Sequence, residues 1–201
     1  MNIEDQKQSI QPVAAPKITT AQDKLTYGFG CFYELTKWLV VLVILLSMVH
    51  FFIVSVSIID GVSMEPNLHT GEIMAVNRWQ DLFGILHRGE IVTLKFPGDP
   101  EHKKYVKRLI GLPGDTVRIE NGAVYINNQK SNEPYLAKGT YTTPDMTRVL
   151  KTDEYFVMGD NRANSNDSRI WGPANKRHLI GTGLFLLWPP SNFGIIKNPV
   201  Y

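Results

Sequence analysis

The chain has 201 residues, 43% of them hydrophobic and 20% charged, which is enough apolar material for a packed domain and too much for wholesale disorder. A net charge of +2 supplies no basic footprint for nucleic acid. One cysteine, Cys31, excludes an internal disulfide, and the five histidines lack HxxxH or HExxH spacing, so neither a metal nor a cofactor is expected.

Residues 1–35 read as a cytoplasmic tail, polar and disordered over its first 23 or so positions. From Trp38 to Ile59 run 22 residues without Asp, Glu, Lys or Arg. A transmembrane helix needs about 20; the apolar part of a cleaved signal peptide is only about 7–15. A single anchor is therefore expected at 36–59. Lys17, Lys24 and Lys37 precede it, and no Lys or Arg follows until Arg78. The positive-inside rule then puts the N-terminus in the cytoplasm and residues 60–201 outside.

Beyond Asp60 the pattern changes to short β-type runs divided by Gly, Pro and Asn. Strands are expected at Ile73–Asn77, Ile91–Phe96, Tyr105–Ile110, Thr116–Glu120, Ala123–Asn127, Tyr155–Met158 and Gly183–Trp188. Asn121-Gly122 predicts a type I′ hairpin turn, since both residues tolerate positive φ. The expected fold is mainly β, a compact antiparallel barrel-like domain after one N-terminal transmembrane helix. Residues 129–152, polar and weakly patterned, read as a mobile excursion.

Three clusters could carry chemistry. Gly61-Val62-Ser63-Met64-Glu65-Pro66 stands just after the apolar run, where a serine could reach a membrane-tethered substrate; alone, it fits a turn better. In Tyr105-Val106-Lys107-Arg108-Leu109-Ile110, two cations interrupt a β-type run. A buried lysine of depressed pKa is a competent base for a serine hydroxyl, whereas at an exposed edge both cations would only discourage strand pairing. In Gly159-Asp160-Asn161-Arg162-Ala163-Asn164-Ser165-Asn166-Asp167-Ser168-Arg169, two aspartates and two arginines could build a rigid ion-paired loop or a plain solvated one.

Taken in order behind the apolar run, SMEPNL, KRLIGLPGD and GDNRANSNDSR closely resemble the type I signal peptidases, a family of Ser–Lys serine proteases. Arg88-Gly89-Glu90-Ile91-Val92 with Phe96-Pro97 resembles a further family segment, with Glu90 where Asp is more usual. The resemblance implies Ser63 as nucleophile, Lys107 as general base and Ser165 orienting the lysine amine. Gly61, Met64, Arg108, Asp160, Asp167 and Arg169 match supporting positions. It further implies exported preproteins as substrates, the plasma-membrane bilayer as a second partner, and proximity to the protein-translocation machinery. Residues 116–155 are too few for the large extra β-domain of some members. The rival readings are a non-catalytic membrane-anchored assembly protein and a repressor-type Ser–Lys protease; a penicillin-binding SxxK motif is absent.

Overall fold

A computed structural model describes residues 21–52, 54–78, 86–96, 98 and 103–199, with helical side chains described over 32–48. The tail expected at the extreme N-terminus lies mostly outside the described residues, as does Pro97. The chain divides into two units, Met1–Ser47 and Met48–Tyr201.

Helix α1 spans Ala21–Phe52. Its described side chains are all exposed, including the unbroken apolar run Leu39 to Leu46. Among the described residues no helix is long and apolar enough to cross a membrane. The expected anchor through Ile59 differs from the structure at its end, because β1 occupies Val54–Ile58. Val54-Ser55-Val56-Ser57-Ile58 alternates with period two and is rich in β-branched residues, which suits a pleated strand better than a helix. This strand pairs antiparallel with β2 (Ile73–Asn77), so one apolar run serves two elements.

The second unit is mainly β, as expected. Its larger sheet adds β3 (Ile91–Lys95), β4 (Lys104–Gly111), β9 (Glu154–Met158), β10 (Ala174–Asn175), β11 (Leu179–Trp188) and β12 (Gly194–Ile195). The order is β1-β2-β11-β3-β4-β9-β10, with β12 on β11, and the pairings are antiparallel. The smaller sheet has the order β7-β6-β5-β8, from β5 (Thr116–Glu120), β6 (Ala123–Ile126), β7 (Gln129–Lys130) and β8 (Met146–Val149). The hydrogen-bonded order of the larger sheet leaves β1 and β10 as its ends among the described residues, so it does not close into a barrel by strand pairing alone.

The β5–β6 hairpin turns on Asn121 (φ 50) and Gly122 (φ 79), as its sequence predicts. A side chain at Gly122 would meet the Tyr141 ring at 2.3 Å, so sterics as well as φ demand glycine. Residues 129–152 are not the excursion their polarity suggested. They supply β7 and β8, and β8 pairs with β5.

Strand β4 positions the chemistry. It is buried from Val106 to Gly111, which places both Lys107 and Arg108 in the interior. It pairs with β3 over 104–108 and with β9 only from Arg108 onward. Its first half therefore has one unpaired edge among the described residues, as has β1.

Candidate active site

Ser63 sits in the turn joining β1 to β2. Gly61 has φ +95, and a Cβ there would meet nothing within 4 Å, so the backbone conformation rather than space selects glycine. Met64 and Leu68 bury their side chains in the core at 1% and 2% exposure and pin the turn. The Met64 carbonyl accepts the N–H groups of Asn67 and Leu68, both at 3.0 Å. From the other side, Asn161 N–H donates to the Ser63 carbonyl at 3.0 Å, and Asn161 Nδ2 donates to the Val62 carbonyl at 3.2 Å. The Ser63 N–H donates to no carbonyl among the described residues and is available to a ligand.

Lys107 reaches this turn from β4, its Nζ 2.6 Å from Ser63 Oγ. Only 3% of the residue is exposed. Burial pulls its pKa down from 10.5 to about 8; the Asp167 and Asp160 carboxylates oppose that fall, and Arg169 assists it. Val106, Leu109 and Ile110, its neighbours on the strand, are buried as well.

Around the pair stand three buried or nearly buried arginine–carboxylate forks. Arg108 grips both oxygens of Asp160, through Nε at 2.8 Å and Nη2 at 2.6 Å. Its Nη1 donates to the Gly89 carbonyl at 2.7 Å, and its guanidinium lies 4.1 Å from the Tyr135 ring centroid. Asn67 Nδ2 also donates to Asp160, at 2.8 Å. Arg169 holds Asp167 through Nε and Nη2, both at 2.8 Å, while Gly159 N–H donates to the same carboxylate at 3.0 Å. Burial alone would raise the Asp167 pKa, but Arg169, Ser165 and the Gly159 amide together hold it below the ordinary carboxylate range. Arg162 pairs with Glu133 and donates to Thr142 Oγ1 at 2.7 Å.

The structure thus brings Ser63 and Lys107 into contact and sets Asp160, Asp167, Arg108 and Arg169 around them. Of the two alternatives for this loop, the structure shows the ion-paired one, although only the Asp167–Arg169 pair is internal to it. Asp160 reaches back to Arg108 on β4, and Arg162 reaches Glu133, each guanidinium meeting a carboxylate across its fork. Ser165 is buried, and among the described residues its Oγ forms no direct hydrogen bond, to Lys107 or otherwise. It lies near enough to Asp167 to help stabilise that carboxylate's charge. Sequence reasoning missed Glu133, Tyr135, Thr142 and Gly159's role. A Cβ on Gly159 would stand 2.3 Å from Ser165 Oγ and 2.4 Å from the Ser63 carbonyl oxygen. The Arg88-Gly89-Glu90 segment also has a structural place. Arg88 pairs with Asp115 at 3.0 Å and Glu90 accepts the His87 N–H at 3.0 Å.

A cleft of about 530 Å³ opens at the pair, walled by β1 from Val56 to Ile58, by Asp60 and Ser63, and by residues 103–107 leading into β4. It lies along the two unpaired strand edges. An extended chain lying there would meet the edges of β1 and β4 that pair with no other strand among the described residues.

A family model described as signal peptidase, peptidase S26, matches residues 32–188. Signal peptidase I S of Bacillus subtilis (strain 168) is 42% identical over 167 residues, covering 78% of this chain and 89% of that protein. Signal peptidase I of Bacillus amyloliquefaciens is 42% identical over 163 residues, 76% of this chain and 86% of that one. Signal peptidase IB of Staphylococcus aureus (strain MRSA252) is 35% identical over 186 residues, 83% and 96% respectively. The crystal structure of a signal peptidase I from Enterococcus faecalis V583 is 31% identical and covers 49% of this chain and 96% of its own, with a TM-score of 0.44.

Proposed function

The chain belongs to the signal peptidase family, peptidase S26, and on that premise we propose that it is the membrane-bound serine endopeptidase that removes signal peptides from exported preproteins, with Ser63 as nucleophile and Lys107 as general base. The observation that carries this reading is the 2.6 Å contact between Lys107 Nζ and Ser63 Oγ inside a buried site. With a pKa of about 8, roughly a tenth of the amine is neutral at pH 7, against about one part in three thousand for an unperturbed lysine.

Neutral Lys107 takes the Ser63 hydroxyl proton as Oγ attacks the scissile carbonyl carbon. The Ser63 N–H is one donor for the oxyanion that forms. As the tetrahedral intermediate collapses, the C–N bond breaks and the lysinium returns its proton to the departing amine. A water deprotonated by Lys107 then hydrolyses the Ser63 ester and frees the signal peptide's carboxyl end. Ser165, Asp160, Asp167, Arg108 and Arg169 act by position, fixing the elements that carry the pair. Gly61 and Met64 shape the turn.

The preprotein would enter the cleft as an extended strand between β1 and the start of β4, closing the sheet toward a barrel as it does so. The charge-free run beginning at Trp38, and the exposed apolar surface from Leu39 to Leu46, support an anchor in the plasma membrane. The lysines ahead of it put the N-terminus in the cytoplasm and the peptidase unit outside, beside the translocation machinery. The test is cleavage of a purified preprotein in detergent micelles by wild type, Ser63→Ala and Lys107→Ala, with the new N-terminus read by mass spectrometry. One cut after a small residue, lost in both variants, is expected. Turnover by either variant overturns the dyad, and no cut by folded wild type overturns the function.

A further inference from the structure

A second pocket, of about 340 Å³, opens beside the cleft on the same strands. Ser55 of β1, Arg78 after β2, Lys95 ending β3, Lys104 beginning β4, and Arg177 and His178 before β11 line it. Four of these are permanent cations, and no carboxylate lines the pocket among the described residues. In a chain whose net charge is only +2, that is a marked concentration. Arg78 has a partner of its own. Lys95, Lys104 and Arg177 have no ion pair among the described residues.

The strand register makes this arrangement costly. Lys95 and Lys104 are directly opposite each other on β3 and β4. Like charges at such a position repel, and nothing in strand pairing requires them there. Beside them, Arg177 Nε donates to His178 Nε2 at 3.4 Å. The Arg177 charge, after burial, also holds His178 below its ordinary pKa, as a site of positive potential would. A bound anion would relieve both effects and would meet ammonium, guanidinium and hydroxyl donors together.

The position of the pocket along the chain indicates which anion. Ser55 is three residues beyond Phe52, the end of α1, no more than about 11 Å of extended chain. Lys104 lines both this pocket and the Ser63 cleft. We propose that the pocket binds the phosphate of an anionic phospholipid headgroup, holding the peptidase unit at the membrane surface where the cleft receives its substrate. This rests on the membrane-bound reading above. Free phosphate offers the same oxygens but has no reason to be concentrated where the chain leaves an apolar helix, whereas an anionic bilayer surface presents headgroups there continuously.

The experiment uses the full chain in dodecyl maltoside micelles and ³¹P line broadening to measure binding of dihexanoyl phosphatidylglycerol, dihexanoyl phosphatidylcholine and inorganic phosphate. Wild type should prefer phosphatidylglycerol to both others. Lys95→Gln/Arg177→Gln should bind it about thirty-fold more weakly, from the loss of two surface cations, while cleaving a free peptide in lipid-free micelles as wild type does. Equal binding by wild type and variant, or equal binding of the two lipids, overturns the site. Inorganic phosphate binding as tightly as phosphatidylglycerol overturns the lipid as its ligand. Cleavage is measured separately, so a wild type that binds phosphatidylglycerol but cuts nothing counts against the peptidase reading and leaves the pocket standing.

Discussion

Asp160 receives Arg108 on both carboxylate oxygens, Oδ1 from Nε at 2.8 Å and Oδ2 from Nη2 at 2.6 Å, with both side chains almost wholly out of solvent. Arg108 follows Lys107 on β4, and Asp160 precedes Asn161, whose N–H holds the Ser63 carbonyl. One ion pair therefore ties the base's strand to the loop that grips the nucleophile's turn.

Asp160→Asn keeps the shape of the side chain but removes its charge and half its acceptor capacity. Breaking a buried pair by neutralising one partner costs roughly 3–5 kcal/mol, mostly through the charge left behind. Urea unfolding should show a loss of that order. The same substitution removes one of the two charges that raise the Lys107 pKa, so the rise of kcat/KM with pH in the residual activity should move to lower pH. A profile that stays in place while stability falls would mean that Asp160 acts on structure alone.

Lys107 carries a stability cost that pH should reveal. Its folded pKa is about 8, below the 10.5 of the free side chain. Between those values the unfolded chain holds a proton that the folded chain does not, so stability rises with pH across that window. Below about pH 8 the amine is charged in both states and burial costs the fold on the order of 3 kcal/mol. Lys107→Met should therefore abolish cleavage and raise the urea midpoint at pH 7, and its advantage over wild type should shrink between pH 8 and 10.5. A variant less stable than wild type at pH 7 would contradict the buried, strained amine.

The sequence shows much of this site and hides the rest for physical reasons. Thr116–Glu120 and Ile73–Asn77 emerge as strands at their full length, the first by apolar alternation and the second as a short apolar run, each between turn residues. Strand β1 is hidden because Val54–Ile58 continues a charge-free run long enough to span a bilayer, and that length outweighs a period-two alternation only five residues long. Ser63 and Lys107 stand out through their motifs, though nothing in their spacing gives a 2.6 Å contact. Glu133 and Thr142 look like loop residues because they are polar. They are polar because they satisfy Arg162, 29 and 20 positions away, and no local pattern records a partner so distant.

Gly159 offers the sharpest test of how closely the two loops must approach. Any Cβ there would lie 2.4 Å from the Ser63 carbonyl oxygen and 2.3 Å from Ser165 Oγ, far inside contact distance. The first obstacle is backbone, and the second belongs to a buried side chain with little room to turn. Gly159→Ala should push the nucleophile's turn away from Lys107 while leaving the cleft walls of β1 and β4 unchanged. A displacement near 1 Å at the reacting atoms costs about a hundred-fold in rate. We expect kcat for a signal-peptide substrate to fall by about that factor, with KM nearly unchanged and the protein still folded by circular dichroism. A rise in KM at constant kcat would instead place Gly159 in substrate binding, and normal kinetics would show that the Ser63 turn can yield without losing its register on Lys107.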